Sequence, residues 1–239
     1  MKVAKYLIIS QITSTITDNI IHALAMIMML SIGLQGGLYA TIAFCLPYII
    51  FSPFAGELGD RFSKTKMIFW LKISEIIMVI LCIIAMHIDS PYLMLFATLL
   101  TGIQSSFISP ARLGLIPSLA KGNILKLSSW MDGTTFMAVL LGTGLGLLRP
   151  IGGNDGIHHS MTVITVVAIA MYVIGIWSSL TLLKLHPGEI HCEEPITYSW
   201  LKTFKRMSSH VTEYTRWKEI WATSFFWGIA SIMISEAEP

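Results

Sequence analysis

Met67-Ile68-Phe69-Trp70-Leu71-Lys72-Ile73-Ser74-Glu75-Ile76-Ile77-Met78-Val79-Ile80-Leu81-Cys82-Ile83-Ile84-Ala85-Met86-His87 is an apolar block with two charges set inside it. An α-helix needs about 20 residues to cross roughly 30 Å of hydrocarbon, whereas a membrane strand needs only about ten. In hydrocarbon an unpaired backbone N–H or C=O costs several kcal/mol, so a block of this length must be a helix that satisfies its own backbone. The block is one of a series separated by short polar loops. Across the 239 residues, 54% are hydrophobic, 13% are charged and the mean hydropathy is +0.70, which excludes an ordinary soluble domain. The predicted fold class is all-α integral membrane. Spans are expected near residues 6–34, 38–56, 67–87, 91–109, 130–148, 161–184 and 219–235.

Positively charged loops stay cytoplasmic, so the basic residues fix an orientation. With the amino terminus inside, Lys2, Lys5, Arg61, Lys64, Lys66, Lys72, Arg112, Lys121, Lys126, Lys184, Lys202, Lys205, Arg206, Arg216 and Lys218 fall in cytoplasmic segments or span ends. Only Arg149 falls outside. One missing span would invert every later loop and destroy this split. A cleaved signal peptide is the rival for the amino terminus, with Ala23-Leu24-Ala25 as the cleavage site. Thr13, Ser14, Thr15, Thr17, Asp18 and Asn19 interrupt what should then be a purely apolar core, and a retained helix is expected.

Three cysteines make no disulfide framework, with Cys45 and Cys82 in spans and Cys192 in a cytoplasmic loop. The net charge of +2 follows topology and forms no nucleic-acid patch. No Gly-rich phosphate loop or nucleophile elbow is present.

Between the second and third spans the chain reads Gly56-Glu57-Leu58-Gly59-Asp60-Arg61-Phe62-Ser63-Lys64-Thr65-Lys66. This resembles the signature loop of the major facilitator superfamily: Gly, any residue, Leu, a small residue, Asp, a basic residue, any residue, Gly, then basic residues. Gly56, Leu58, Gly59, Asp60, Arg61, Lys64 and Lys66 match, while Ser63 replaces the second glycine and Thr65 one basic position. The physics suits a gate, because small residues let helix ends approach and basic residues hold the loop at an anionic surface. The alternative is an ordinary positive-inside loop. Thr17-Asp18-Asn19, the stretch Ser109-Pro110-Ala111-Arg112-Leu113-Gly114-Leu115-Ile116-Pro117-Ser118-Leu119, and Ser224-Phe225-Phe226-Trp227-Gly228 resemble the lysophospholipid transporter branch. That branch also occurs fused to acyltransferase and acyl-carrier-protein synthetase domains. Where the branch usually has Asn before the first-helix acid, this chain has Thr17.

Gln11, Ser14, Asp18 and His22 recur at spacings of three, four and four, so they are expected on one helical stripe. An ionisable residue at membrane depth is costly and by default marks a substrate or ion pathway. The resemblance implies that Asp18 faces a central cavity, to pair with a substrate ammonium group or carry a coupling cation. A structural hydrogen bond is its alternative role. Asn19, His22 and Arg112 join Asp18 as pathway candidates, Arg112 to meet a phosphate or to act as a positive-inside anchor, with Asp132 as its partner. Lys72 and Glu75, three apart, are expected to form an intramembrane pair; alternatively Lys72 snorkels to the headgroups while Glu75 faces another helix.

Ala138, Gly142 and Gly146 recur every four residues and predict close helix packing. Thr143 stands where the glycine-rich antiporter motif has proline, so no antiport follows. Trp200, Phe204, Met207, Val211 and Tyr214 form one apolar face surrounded by basic residues, as an interfacial helix would; a calmodulin-like target is its remote alternative. His186, Glu189, His191, Cys192, Glu193 and Glu194 fit no standard metal spacing, so no metal and no cofactor are expected.

The expected organisation is a six-helix amino-terminal bundle of a major facilitator fold over residues 1–184, a cytoplasmic linker over 185–218, and the start of a second half over 219–239 with a partial seventh helix. The resemblance implies secondary transport of a lysophospholipid-like amphiphile across the inner (plasma) membrane by a multi-pass protein. Expected partners are membrane lipids, a small amphiphilic substrate and a carboxy-terminal half if encoded separately, with no nucleic acid. The rival readings are the membrane anchor of a phospholipid acyltransferase or acyl-carrier-protein synthetase fusion, or a nonfunctional truncated transporter. No acyltransferase signature is present, so an enzyme is not expected. Ser235-Glu236-Ala237-Glu238-Pro239 continues a span poorly, and the chain alone is expected not to transport.

Overall fold

Long apolar runs become helices with little help from caps, and a computed structural model of the chain has six of them among the residues it describes. Those residues are 3–33, 35–120, 122–148 and 154–186, with side chains described except at 53, 60 and 154–160. The helices are α1 (Ala4–Leu30), α2 (Gly36–Arg61), α3 (Lys64–His87), α4 (Pro91–Ala120), α5 (Ile124–Gly146) and α6 (Asn154–Leu185). No strand occurs among the described residues, and the all-α fold class holds. The expected seventh span, the amphipathic segment from Trp200 to Tyr214 and Arg149 lie outside the described residues.

α1, α3, α4 and residues Met161–Leu185 of α6 are long and apolar enough to cross a membrane by length and composition. In α2 the apolar part is the shorter Gly36–Ser52. Outward side chains are themselves apolar: Ile49 is 69% exposed, Leu125 80% and Leu140 68%. A water-facing bundle would not leave them bare, whereas lipid tails solvate them.

α4 differs from the expected span edge. It continues past Ser109 through Pro110 and Pro117 to Ala120. Each proline leaves the carbonyl four residues earlier without its usual N–H. Membrane helices tolerate this where neighbouring groups re-satisfy the backbone. The continuation matters because Arg112 rides on it.

α1 packs against α2, α4, α5 and α6, and α4 against α2 and α3. Two apolar layers result. One gathers Leu7, Met67, Ile68, Leu115 and Leu182; the other gathers Ile20, Leu24, Met28, Met86 and Ile164. Between them, buried Ser10, Thr13, Ser14, Lys72, Glu75 and Ser178 form a polar middle.

Close approach between α1 and α5 depends on Gly142. A Cβ there would lie 2.6 Å from the Ile16 carbonyl oxygen and 2.8 Å from Asn19 Cβ, so any side chain must push the helices apart. Gly144, two residues on, has nothing within 4 Å of its Cβ position. Gly142→Leu is therefore expected to cost about 1–3 kcal/mol, the usual range for overpacking, and to lower the thermal unfolding midpoint in detergent. Gly144→Leu should leave that midpoint nearly unchanged. Equal effects of the two would mean that the α1–α5 crossing does not depend on Gly142.

Candidate functional site

The spacing of polar residues on α1 divides them between two neighbourhoods. Gln11, Thr15, Asp18 and Asn19 step by four, three and one, close to one face at 3.6 residues per turn. They line a cavity of about 300 Å³ whose other walls include Ser105 and Arg112 from α4 and Asp132 from α5. Ser14 turns instead toward α3, and His22 packs on the ring of Phe44 at 4.9 Å between centroids. Phe44 is itself a wall residue, so His22 stands behind the cavity. The stripe expected from the sequence is thus split, with Asp18, Asn19 and Arg112 brought together and His22 set apart.

Asp18 accepts a hydrogen bond from Ser105 Oγ at 2.7 Å, which ties α1 to α4. The Asn19 amide donates to its own helix, at the Thr15 carbonyl 2.8 Å away. Gln11 donates across the cavity wall to Thr135 Oγ1 on α5. Arg112 is 8% exposed and donates from Nη2 to the Ser10 carbonyl at 3.3 Å, while its buried Nε has no partner. A guanidinium offers five N–H groups, so most of this one's capacity is unspent among the described residues. No ion pair joins Arg112 to Asp18 or to Asp132, although the charge of Asp18 reaches Arg112. The cavity therefore presents a carboxylate and a guanidinium on different walls, neither neutralised by direct contact with the other.

Lys72 and Glu75 lie beside this cavity, not in its lining. Their side chains are 0% and 1% exposed, and Lys72 Nζ contacts both carboxylate oxygens at 2.8 and 2.7 Å. Ser14 closes the group, accepting from Lys72 Nζ at 2.9 Å and donating to Glu75 Oε2 at 3.1 Å. Gly175 of α6 lies against the Lys72 side chain, where a Cβ would overlap its end. Lys72 does not reach the headgroups. The short i to i+3 step, a hydroxyl from α1 and a missing side chain on α6 together hold the charge indoors. With Asp18 and Arg112, the middle of the bundle holds two basic and two acidic side chains, and Glu75, Arg112 and Lys72 all act electrostatically on Asp18.

The stretch expected to be a gating loop is mostly helical: α2 runs on to Arg61 and α3 begins at Lys64, so only Phe62 and Ser63 lie between them. Arg61 Nη2 pairs with Glu57 Oε1 at 2.9 Å. Leu58 packs in the apolar layer with Ala111 and Leu115, and a Cβ on Gly59 would lie 3.9 Å from the Ala111 nitrogen. The Lys64 side chain lies against Gly114, and Lys66 is exposed. Gly56 has open space at its Cβ position. The side chain of Asp60 is outside the described ones. Two stretches far apart in sequence, 56–66 and 109–119, thus dock on each other, and Arg112 follows directly on Ala111.

Sequence reasoning missed Ser105, Ser14 as a partner of the buried pair, and Tyr48, another cavity wall. Ser105 sits in the run Gln104-Ser105-Ser106, a polar step in an apolar helix and the available signal. Nothing local marks Tyr48. Among the residues of the discounted metal cluster, His186 lies 3.4 Å from Ser118 Oγ; the others are outside the described residues.

Comparison with known proteins supplies the family. A lysophospholipid transporter LplT from Cronobacter sakazakii is 26% identical over 191 residues, covering 78% of this chain and 44% of the relative. Another, from Pectobacterium carotovorum, is 27% identical over 142 residues, 58% of this chain and 33% of the relative. A third, from Salmonella arizonae, is 30% identical over 103 residues, covering 41% and 24%. This chain spans less than half the length of these relatives. No solved structure matches it. The family model described as Major Facilitator Superfamily matches residues 7–236, nearly the whole sequence. The chain, an all-α membrane protein with the signature loop docked on α4, therefore belongs to the major facilitator superfamily.

Proposed function

We propose that this chain is part of a secondary transporter, not an enzyme, that moves a lysophospholipid-like amphiphile across the inner membrane, with its amino terminus in the cytoplasm. The observation that carries the reading is the pairing in one cavity of an unneutralised guanidinium, Arg112, with a separate carboxylate, Asp18. A zwitterionic headgroup presents a phosphate and an ammonium at different places, and guanidinium and carboxylate are their natural partners. The names of the relatives support the same substrate class. In transporters of this kind the site lies between two repeats that rock against each other, and this chain supplies one wall of it.

Binding is the step this wall can report by itself. Purified chain in nanodiscs, exposed to a photoreactive lysophosphatidylethanolamine, should label α1 and α4 around Asp18 and Arg112, and unlabelled lysolipid should compete. Label confined to outward residues such as Leu125 and Leu140, without competition, would refute the site.

Orientation has its own test. In a cysteine-free background, Lys66→Cys should be protected from an impermeant thiol reagent added outside intact cells, and Asn154→Cys should react. The opposite pattern would invert the topology.

A further inference from the structure

We propose that the groove between α1, α4 and α5, at the end of the bundle where α1 begins, is a binding site for an anionic phospholipid, held by Lys5 and Lys126. The groove encloses about 540 Å³ and shares no lining residue with the Asp18 cavity. That volume is within the roughly 300–1,000 Å³ of typical ligand sites. Its walls are Ile8 from α1, Leu119 from α4, and Leu127 and Trp130 from α5, with Asn123 at the α4–α5 turn. Lys5 and Lys126 are its two charged residues, and no carboxylate lines it.

Two features fix the occupant. First, neither lysine makes an ion pair among the described residues, and Lys5 Nζ rests only over the Tyr6 ring, 4.9 Å from the centroid. Two cations without a counter-charge favour a ligand with net negative charge over a zwitterion, whose own ammonium would meet them unfavourably. Basic pockets between membrane helices are suited to such headgroups. Second, Trp130 is 59% exposed beside the apolar wall, where an aromatic ring sits at headgroup level and an acyl chain can run along Ile8 and Leu127. An anionic lipid neutralises both lysines and covers the apolar wall at once.

The test uses the full chain, purified in mild detergent and presented with equal amounts of phosphatidylglycerol and phosphatidylcholine, with retained lipid read by native mass spectrometry. Wild type should keep phosphatidylglycerol preferentially. Lys5→Gln and Lys126→Gln should each weaken that preference about fivefold, the conversion of roughly 1 kcal/mol per basic residue, and the double variant should abolish it. Lys184→Gln, at the exposed end of α6, should leave it intact. A second reading places the site: phosphatidylglycerol brominated on its acyl chain should quench wild-type tryptophan fluorescence more than that of Trp130→Phe. Equal retention of the two lipids by wild type, retained preference in the double variant, equal loss in Lys184→Gln, or identical quenching with and without Trp130 would each overturn the proposal. Failure here leaves the Asp18 cavity untouched, since that cavity is read with lysolipid and with other variants.

Discussion

Replacing Lys72 by methionine should leave little folded protein in the membrane, and replacing Glu75 by leucine in the same chain should restore much of it. Lys72 and Glu75 are buried to within 1% and bonded to each other and to Ser14. Removing one member strands the other charge in a low-dielectric interior, a loss of about 3–5 kcal/mol for buried pairs. Removing both with apolar residues of similar volume is often neutral or better. Fluorescence-detected size exclusion of tagged chain, with thermal challenge, reads both outcomes. A Lys72→Met variant as stable as wild type would mean that the pair is not what holds α3 to α1. Gly175 offers an independent check, since a leucine there must displace the lysine end and should mimic Lys72→Met.

Arg112→Gln should weaken binding of any phosphate-bearing lysolipid by about thirtyfold, from about 2 kcal/mol for a hydrogen-bonded charge, while the amount of folded protein falls little. The guanidinium spends one bond on the protein, at the Ser10 carbonyl, and its Nε is buried and unpartnered. A structural arginine would show the reverse, with folding lost and affinity kept in the surviving fraction. Equilibrium binding of radiolabelled lysophosphatidylethanolamine in nanodiscs, normalised to folded chain, separates the two.

Helices were legible wherever composition alone decides, because hydrocarbon allows a lone segment no other way to satisfy its backbone. Ends were less so. The fourth span is expected from its apolar run to end near residue 109, yet α4 continues through Pro110 and Pro117 to Ala120. Of the site, Asp18 was marked by the cost of charge at membrane depth, Arg112 by its place in the stretch 109–119 that carries the family resemblance, and the Lys72–Glu75 pair by a three-residue step on one helix. What the sequence could not reveal is tertiary. Ser14 belongs to the buried pair and not to the Asp18 stripe because α1 turns that side of itself toward α3. Ser105 meets Asp18 only because α4 crosses α1 at that level. Likewise His22 shares the spacing of Asp18 but is diverted onto Phe44, which fills the place a cavity-facing imidazole would take.

The central claim is that Asp18 and Arg112 read the two ends of a zwitterionic headgroup. It is tested most directly by measuring the binding of lysophosphatidylethanolamine and of lysophosphatidic acid, which lacks the ammonium, to wild type and to Asp18→Asn in nanodiscs of neutral lipid. Asp18→Asn should weaken lysophosphatidylethanolamine about tenfold, the loss of one charge-assisted contact, and leave lysophosphatidic acid unchanged or tighter. Equal weakening of both ligands, or of neither, would contradict it.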